Sequence, residues 1–231
     1  MIISNIKRIY SIVIVVFLIS IINITTFSLS QGANSASISD DNIDNYAQLW
    51  MNGYGSINTV IYSPDSSEYA ISSSSGGIFI FNSSTNSLDR KFIFYNDSID
   101  SIDWSPDGKK LLVDLDKEIR ILNAISGKKI NSFQYDDPYM VKWSPDGSKI
   151  SFFIDFFLDD AIYVFNLSDE KILFNISRVF DYYSGPYGSI YDWSPDGTLF
   201  AYSNDKNITI LDSNDGSVLK SIMVEYNDEN Y

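Results

Sequence analysis

The 231-residue chain contains neither cysteine nor histidine. Without cysteine there are no disulfides and no lipid attachment through a thiol, so the fold rests on its apolar core alone. Without both residues, no Ser-His-Asp triad and no Cys-His pair can be assembled, and no Gly-x-Ser-x-Gly elbow occurs. Basic residues are scarce: 16 Lys and Arg stand against 30 Asp and Glu, for a net charge of −14. A surface of that sign repels nucleic acid, so nucleic acid is not an expected partner. A sustained helical period is also missing from everything after the first 30 or so residues, which leaves the bulk of the chain all-β.

Acidic residues are absent from positions 1–36, where Lys7 and Arg8 precede a mainly apolar run from Ile9 to Ile24. A charged start before such a run reads as a signal peptide or an N-terminal membrane anchor over residues 1–30, a hydrophobic helix in either case. The chain is then expected outside the cytoplasm, secreted or anchored, and to meet a membrane only through that segment. Residues 31–46 are small and polar without periodicity, and they read as a flexible linker.

What the remainder has is repetition. Trp104-Ser105-Pro106-Asp107-Gly108 returns at 143–147 and 193–197, and Tyr62-Ser63-Pro64-Asp65-Ser66 is a weaker copy ahead of them. The spacing of about 40 to 50 residues is that of stacked supersecondary units. Ser suits the first place of a type I turn, Pro the second and Asp the third, and Gly takes the left-handed position that follows. Each copy should therefore reverse the chain between a first and a second strand. Further alternating runs and turns complete four short strands per unit, the cue of a propeller blade. The propeller repeats occupy 47–231, with units at about 56–95, 98–134, 139–176 and 189–224. Strands of the first unit are expected near 57–62, 68–73, 77–82 and 91–95.

These residues resemble the WD-repeat β-propellers, and almost equally the Trp-Ser-Pro-Asp-Gly repeats of TolB-type and prolyl-oligopeptidase-type proteins. The resemblance rests on the four turns and on the third-strand endings Phe81-Asn82, Leu122-Asn123, Phe165-Asn166 and Leu211-Asp212. Those endings stand where a WD-repeat has Trp-Asp. The WD-repeat Asp before the third strand is matched by Asp116, Asp160 and Asp205, with Gly76 in the first unit. The family's Gly-His pair is missing, so its buried His-Asp network cannot form. The resemblance implies a β-propeller whose usual business is binding.

Four units make an incomplete or open ring, and residues 47–54 (Leu49, Trp50, Met51, Tyr54) have the content of an extra strand before the first. Self-association of two arcs would complete such a ring and cover its strand edges. Tyr62, Trp104, Trp143 and Trp193 end the first strands and are expected to pack between blades.

Candidate binding residues lie in two connections. Asp181, Tyr182, Tyr183 and Tyr187 belong to the longest one, at 177–189, where Tyr rings suit the grip of a partner. Asp136, Asp137 and Tyr139 lie in the connection into the third unit. The apolar tip around Phe156-Phe157-Leu158 is a further exposed candidate, whereas Phe152 and Phe153 read as internal packing. Asp114, Asp116 and Glu118 are oxygen donors without a calcium-loop spacing and read as a solvated hairpin tip. Asn82, Asn96, Asn166, Asn175 and Asn207 begin glycosylation sequons. The expectation is an exported or tethered propeller that binds a protein or peptide, without cofactor, metal or catalysis of its own. The alternative is a propeller enzyme of glycosidase or lyase type, or a lectin-like protein, acting on extracellular polysaccharide; the enzyme needs two or three carboxylates converging about 5–10 Å apart in the central channel.

Overall fold

The computed structural model describes residues 55–154, 161–177, 191–203 and 207–223. The N-terminal segment, the linker and residues 47–54 lie outside them. So do Asp160, Asp205, the Phe156–Leu158 tip and Asp181, Tyr182, Tyr183 and Tyr187. Among the described residues no helix is long and apolar enough to cross a membrane.

All sixteen described elements are strands, grouped in chain order into four blades. Blade one holds β1 (Ile57–Tyr62), β2 (Glu68–Ser73), β3 (Gly77–Asn82) and β4 (Leu88–Ile93). Blade two holds β5 (Ile102–Trp104), β6 (Lys110–Leu115), β7 (Glu118–Asn123) and β8 (Lys129–Gln134). Blade three follows with β9 (Pro138–Trp143), β10 (Lys149–Ile154), β11 (Ala161–Asn166) and β12 (Lys171–Ser177). In blade four are β13 (Tyr191–Trp193), β14 (Leu199–Ser203), β15 (Asn207–Asp212) and β16 (Val218–Met223). Each blade is an antiparallel meander in sequence order. The fold is the all-β propeller arrangement the repeats imply.

The Ser-Pro-Asp turns are the local cause of that regularity. In each, the fourth residue's N–H closes the turn on the Ser carbonyl at 2.8 Å (Ser66, Gly108, Gly147, Gly197). The Ser hydroxyl donates to the turn Asp and accepts the N–H five residues on, as Ser105 does with Asp107 and Lys110. The closing residue has positive φ: 69° at Gly108, and 60° at Ser66, the one copy without glycine. The four turns also share one face, since a Cβ placed on Gly108, Gly147 or Gly197 would lie 3.6–3.8 Å from the proline ring of the preceding turn.

The third-strand endings explain the second repeated turn. Asn82, Asn123, Asn166 and Asp212 each accept a backbone N–H two residues on through the side-chain oxygen, closing an Asx turn. Four residues on, Asn86, Gly127, Glu170 and Gly216 have positive φ, and a register shift follows in all four blades. This turn starts the fourth strand of blade one at Leu88, earlier than the 91–95 expected from the apolar run. Asp89 and Arg90 are tolerated there because Arg90 makes a two-toothed ion pair with Glu68 and donates to the Ala124 carbonyl of blade two.

Side chains alternate across each blade, so β2, β3, β6, β7, β10 and β11 bury apolar residues on both faces. Ala70, Ile78 and Ile80 of blade one meet Trp104, Leu111 and Val113 of blade two. Leu112, Ile119 and Ile121 meet Trp143, Ile150 and Phe152, and then Phe153, Ile162 and Val164 meet Trp193, Phe200 and Leu211. Phe152 and Phe153 are thus internal, as read from the sequence. Trp104, Trp143 and Trp193 are 5%, 6% and 8% exposed, but Tyr62 is 63% exposed. The expectation that Tyr62 packs between blades is wrong, because no described blade precedes blade one. Among the described residues the four blades are separate four-stranded sheets, and no closed ring is seen.

Candidate functional site

The residue just before each terminal aromatic of a first strand points away from it. Those residues are Ile61, Asp103, Lys142 and Asp192, and the last three link the innermost strands of blades two, three and four. Asp103 Oδ1 accepts the Trp104 N–H at 2.9 Å, while Oδ2 reaches into blade three and accepts the Trp143 N–H at 2.7 Å. Lys142 reaches in turn into blade four, donating to the Tyr191 carbonyl at 3.2 Å and to Asp192 Oδ1 at 2.9 Å. Blade one joins blade two through Asn58, which donates to the Ile99 carbonyl, and through Thr59, which donates to the Asp100 carbonyl. A polar seam thus runs across all four blades on the inner side.

A second stitch lies behind the first. Ser101 Oγ accepts the Val141 N–H from blade three and donates to Asp114, whose other oxygen accepts the Asp100 and Ser101 N–H groups. Burial pushes the Asp114 carboxyl up to about 7 against these hydrogen bonds, and the surrounding protein pushes Asp103 up to about 6. Tyr191, also buried, is raised well above the usual phenol value, and its hydroxyl donates to the Met140 carbonyl.

In front of the seam is a cavity of about 440 Å³, lined from all four blades by Thr59, Asp103, Met140, Lys142, Tyr191 and Asp192 among others. It sits where the axial channel of a propeller runs. Of the acids on its wall, Asp103 has both oxygens committed to backbone donors and Asp192 is held by Lys142 and the Trp193 N–H. The arrangement offers a ligand one cation, one partly exposed carboxylate, hydroxyls and aromatic edges.

The residues singled out from sequence are elsewhere. Asp136 is exposed and paired with Lys117 at 3.1 Å. Asp137, at φ 52°, turns the chain and donates its N–H to the Asp116 carbonyl. Tyr139 is half-buried with its ring 5.0 Å from Phe153, a packing residue. Asp114, Asp116 and Glu118 diverge to Ser101, Ser98 and Arg120, and no acidic cluster suited to a metal occurs among the described residues. Asp103, Lys142 and Asp192 were missed. Their signal was present: a polar residue at the same place in three repeats, on the face opposite the Trp.

Comparison with known proteins follows the same lines. Residues 60–146 match the family model described as the anaphase-promoting complex subunit 4 WD40 domain. A search of curated proteins finds no match. Among solved structures, the chain is similar to the Cps50 (Swd1) β-propeller domain of Myceliophteria thermophila, with 13% identity and a TM-score of 0.58. That match covers 74% of this chain and 58% of the other. It is also similar to hydrazine synthase of Kuenenia stuttgartiensis, with 17% identity, a TM-score of 0.59 and coverage of 85% and 53%. The chain therefore spans a little over half the length of these propellers, and the likeness is one of fold.

Proposed function

We propose that this WD40-like β-propeller is an exported or membrane-tethered module that binds a protein or peptide through the cavity at its inner strands, without catalysis. The observation that carries the reading is the convergence of four innermost strands on one concave wall bearing Lys142, Asp192 and Thr59. WD40 propellers are generally protein-binding scaffolds, which favours the same class of partner. Export rests on Lys7-Arg8 and the apolar run after them. A polysaccharide-cleaving enzyme would want two carboxylates free to exchange protons. Asp103 on the cavity wall spends both oxygens on holding blades two and three together, which speaks against that use.

The test is photocrosslinking in the native host, with the full chain carrying a photoreactive residue at Thr59 or, as a control, at exposed Ser84. A discrete protein adduct from position 59 and none from 84, on chains that a membrane-impermeant reagent also labels, is the expected result. Adducts of equal yield at both positions would refute the cavity as the binding surface, and chains shielded from the impermeant reagent would refute export.

A further inference from the structure

Met140, in the innermost strand of blade three, has a backbone φ of 56°. A bulky side chain in the left-handed region is an outlier that its surroundings must hold in place. The register shows its origin. Lys142 pairs with Ser151 and Tyr139 with Phe153, so Met140 and Val141 together stand opposite Phe152 alone, a β-bulge. The peptide unit between Met140 and Val141 is gripped from both sides. Its N–H donates to Ser101 Oγ of blade two at 2.8 Å, and its carbonyl accepts the Tyr191 hydroxyl of blade four. Two neighbouring blades thus fix a conformation that blade three alone resists.

The bulge has a result at the cavity. Three residues before the terminal aromatic of the first strand stand Thr59 in blade one, Ser101 in blade two and Met140 in blade three. All three line the cavity. Thr59 spends its hydroxyl proton on the Asp100 carbonyl, and Ser101 spends its own on Asp114. The charged groups are occupied likewise, Asp103 by two backbone N–H groups, Lys142 and Asp192 by each other. What the wall leaves for an incoming group is therefore chiefly apolar: Met140 and Ile61, both half-buried. Methionine is unbranched and polarizable, and it adapts to aliphatic groups and ring edges alike.

We propose that Met140 is the specificity-determining contact of the cavity, against which the partner inserts an apolar side chain, aliphatic or aromatic. The proposal rests on the reading of this cavity as the surface that binds a protein or peptide. The volume of about 440 Å³ lies within the roughly 300–1,000 Å³ of ligand sites, so one side chain enters with room to spare. Charged side chains fit the place less well. Lys142 repels a cation, while Asp192 and the net charge of −14 repel an anion.

Methyl NMR of the full chain, labelled on its four methionines, tests the ligand class directly. Loss of one signal in Met140→Leu assigns the Met140 methyl. N-acetyl-leucinamide shifts that signal at a concentration at least about tenfold below that needed of N-acetyl-lysinamide, because burying the ammonium is costly. No shift with either probe, or an equal or stronger response to the lysine probe, overturns the proposal. Photocrosslinking from position 59 gives the second readout. Met140→Gln keeps the side chain's length but makes its end polar, and it lowers the adduct at least about tenfold. Ile125→Gln, at a side chain 77% exposed in the β7–β8 turn, leaves the adduct unchanged. An adduct undiminished by Met140→Gln overturns the proposal, whereas its absence with Met140 in place overturns the protein-binding reading instead.

Discussion

Trp143 and Tyr62 hold the same place in their repeats, yet one is 6% exposed and the other 63%. Each ends the first strand of its blade and precedes a Ser-Pro-Asp turn with the same hydrogen bonds. The difference comes entirely from what stands on the preceding side: blade two for Trp143, no described blade for Tyr62. Local sequence thus builds the blade, and only the neighbour turns an aromatic ring into core.

The sharpest way to break that comparison is truncation. Trp143→Ala should destabilise by about 3–5 kcal/mol through a large cavity at a packed interface, whereas Tyr62→Ala should cost less than about 1 kcal/mol. Denaturant midpoints of the two variants check this, and equal losses would mean that Tyr62 is buried by a neighbour in solution.

The seam between blades two and three should respond to pH in a way the ends do not. Burial pushes the Asp114 carboxyl from its ordinary value of 3.8 up to about 7. The fold favours its neutral form, so its contribution is complete below about pH 4 and is lost as the pH rises through about 7. Melting temperature is expected to fall by several degrees between about pH 5 and pH 8, and Asp114→Asn should flatten that slope. A slope unchanged in the variant would remove Asp114 as its source.

Next in size is an interior hydrogen bond that two of the three seams lack. Trp193 Nε1 donates to Ser151 Oγ at 3.0 Å, while Trp104 Nε1 and Trp143 Nε1 have no partner. The equivalents of Ser151 are Ala70 in blade one and Leu112 in blade two, neither with an acceptor. Ser151→Ala should cost about 1–3 kcal/mol by orphaning the indole, and Ala70→Ser should return about 1 kcal/mol or less at the first seam. Urea titrations of both variants give the two signs.

Smallest is the turn. A Cβ on Gly108 meets nothing nearer than 3.8 Å, so only its φ of 69° resists a side chain. Gly108→Ala should cost about 1 kcal/mol, and the same change at Gly127, where a Cβ would press on the Phe92 ring, should cost more. Thermal melts of the pair separate strain from crowding.

Most of the fold was legible because its signals are local. Ser, Pro, Asp and Gly act within one turn, and alternation assigns each strand its faces. Asn82 and its counterparts were visible as a pattern, though their capping of the next turn was not. The cavity was harder to read, since Asp103 acquires its role only from the Trp143 N–H, 40 residues away in the chain. Tyr139 misled for the complementary reason: an aromatic beside two acids resembles a binding loop until Phe153 is placed against it.

Asp192 repeats the position of Asp103 and makes the same bond to the aromatic that follows it. Blade four is therefore chemically an interior blade, already equipped with the carboxylate that blade two uses to catch its successor. Copy number is not encoded in any one unit of such a fold. A fifth unit grafted after Met223 would meet the same carboxylate that blade two presents to blade three.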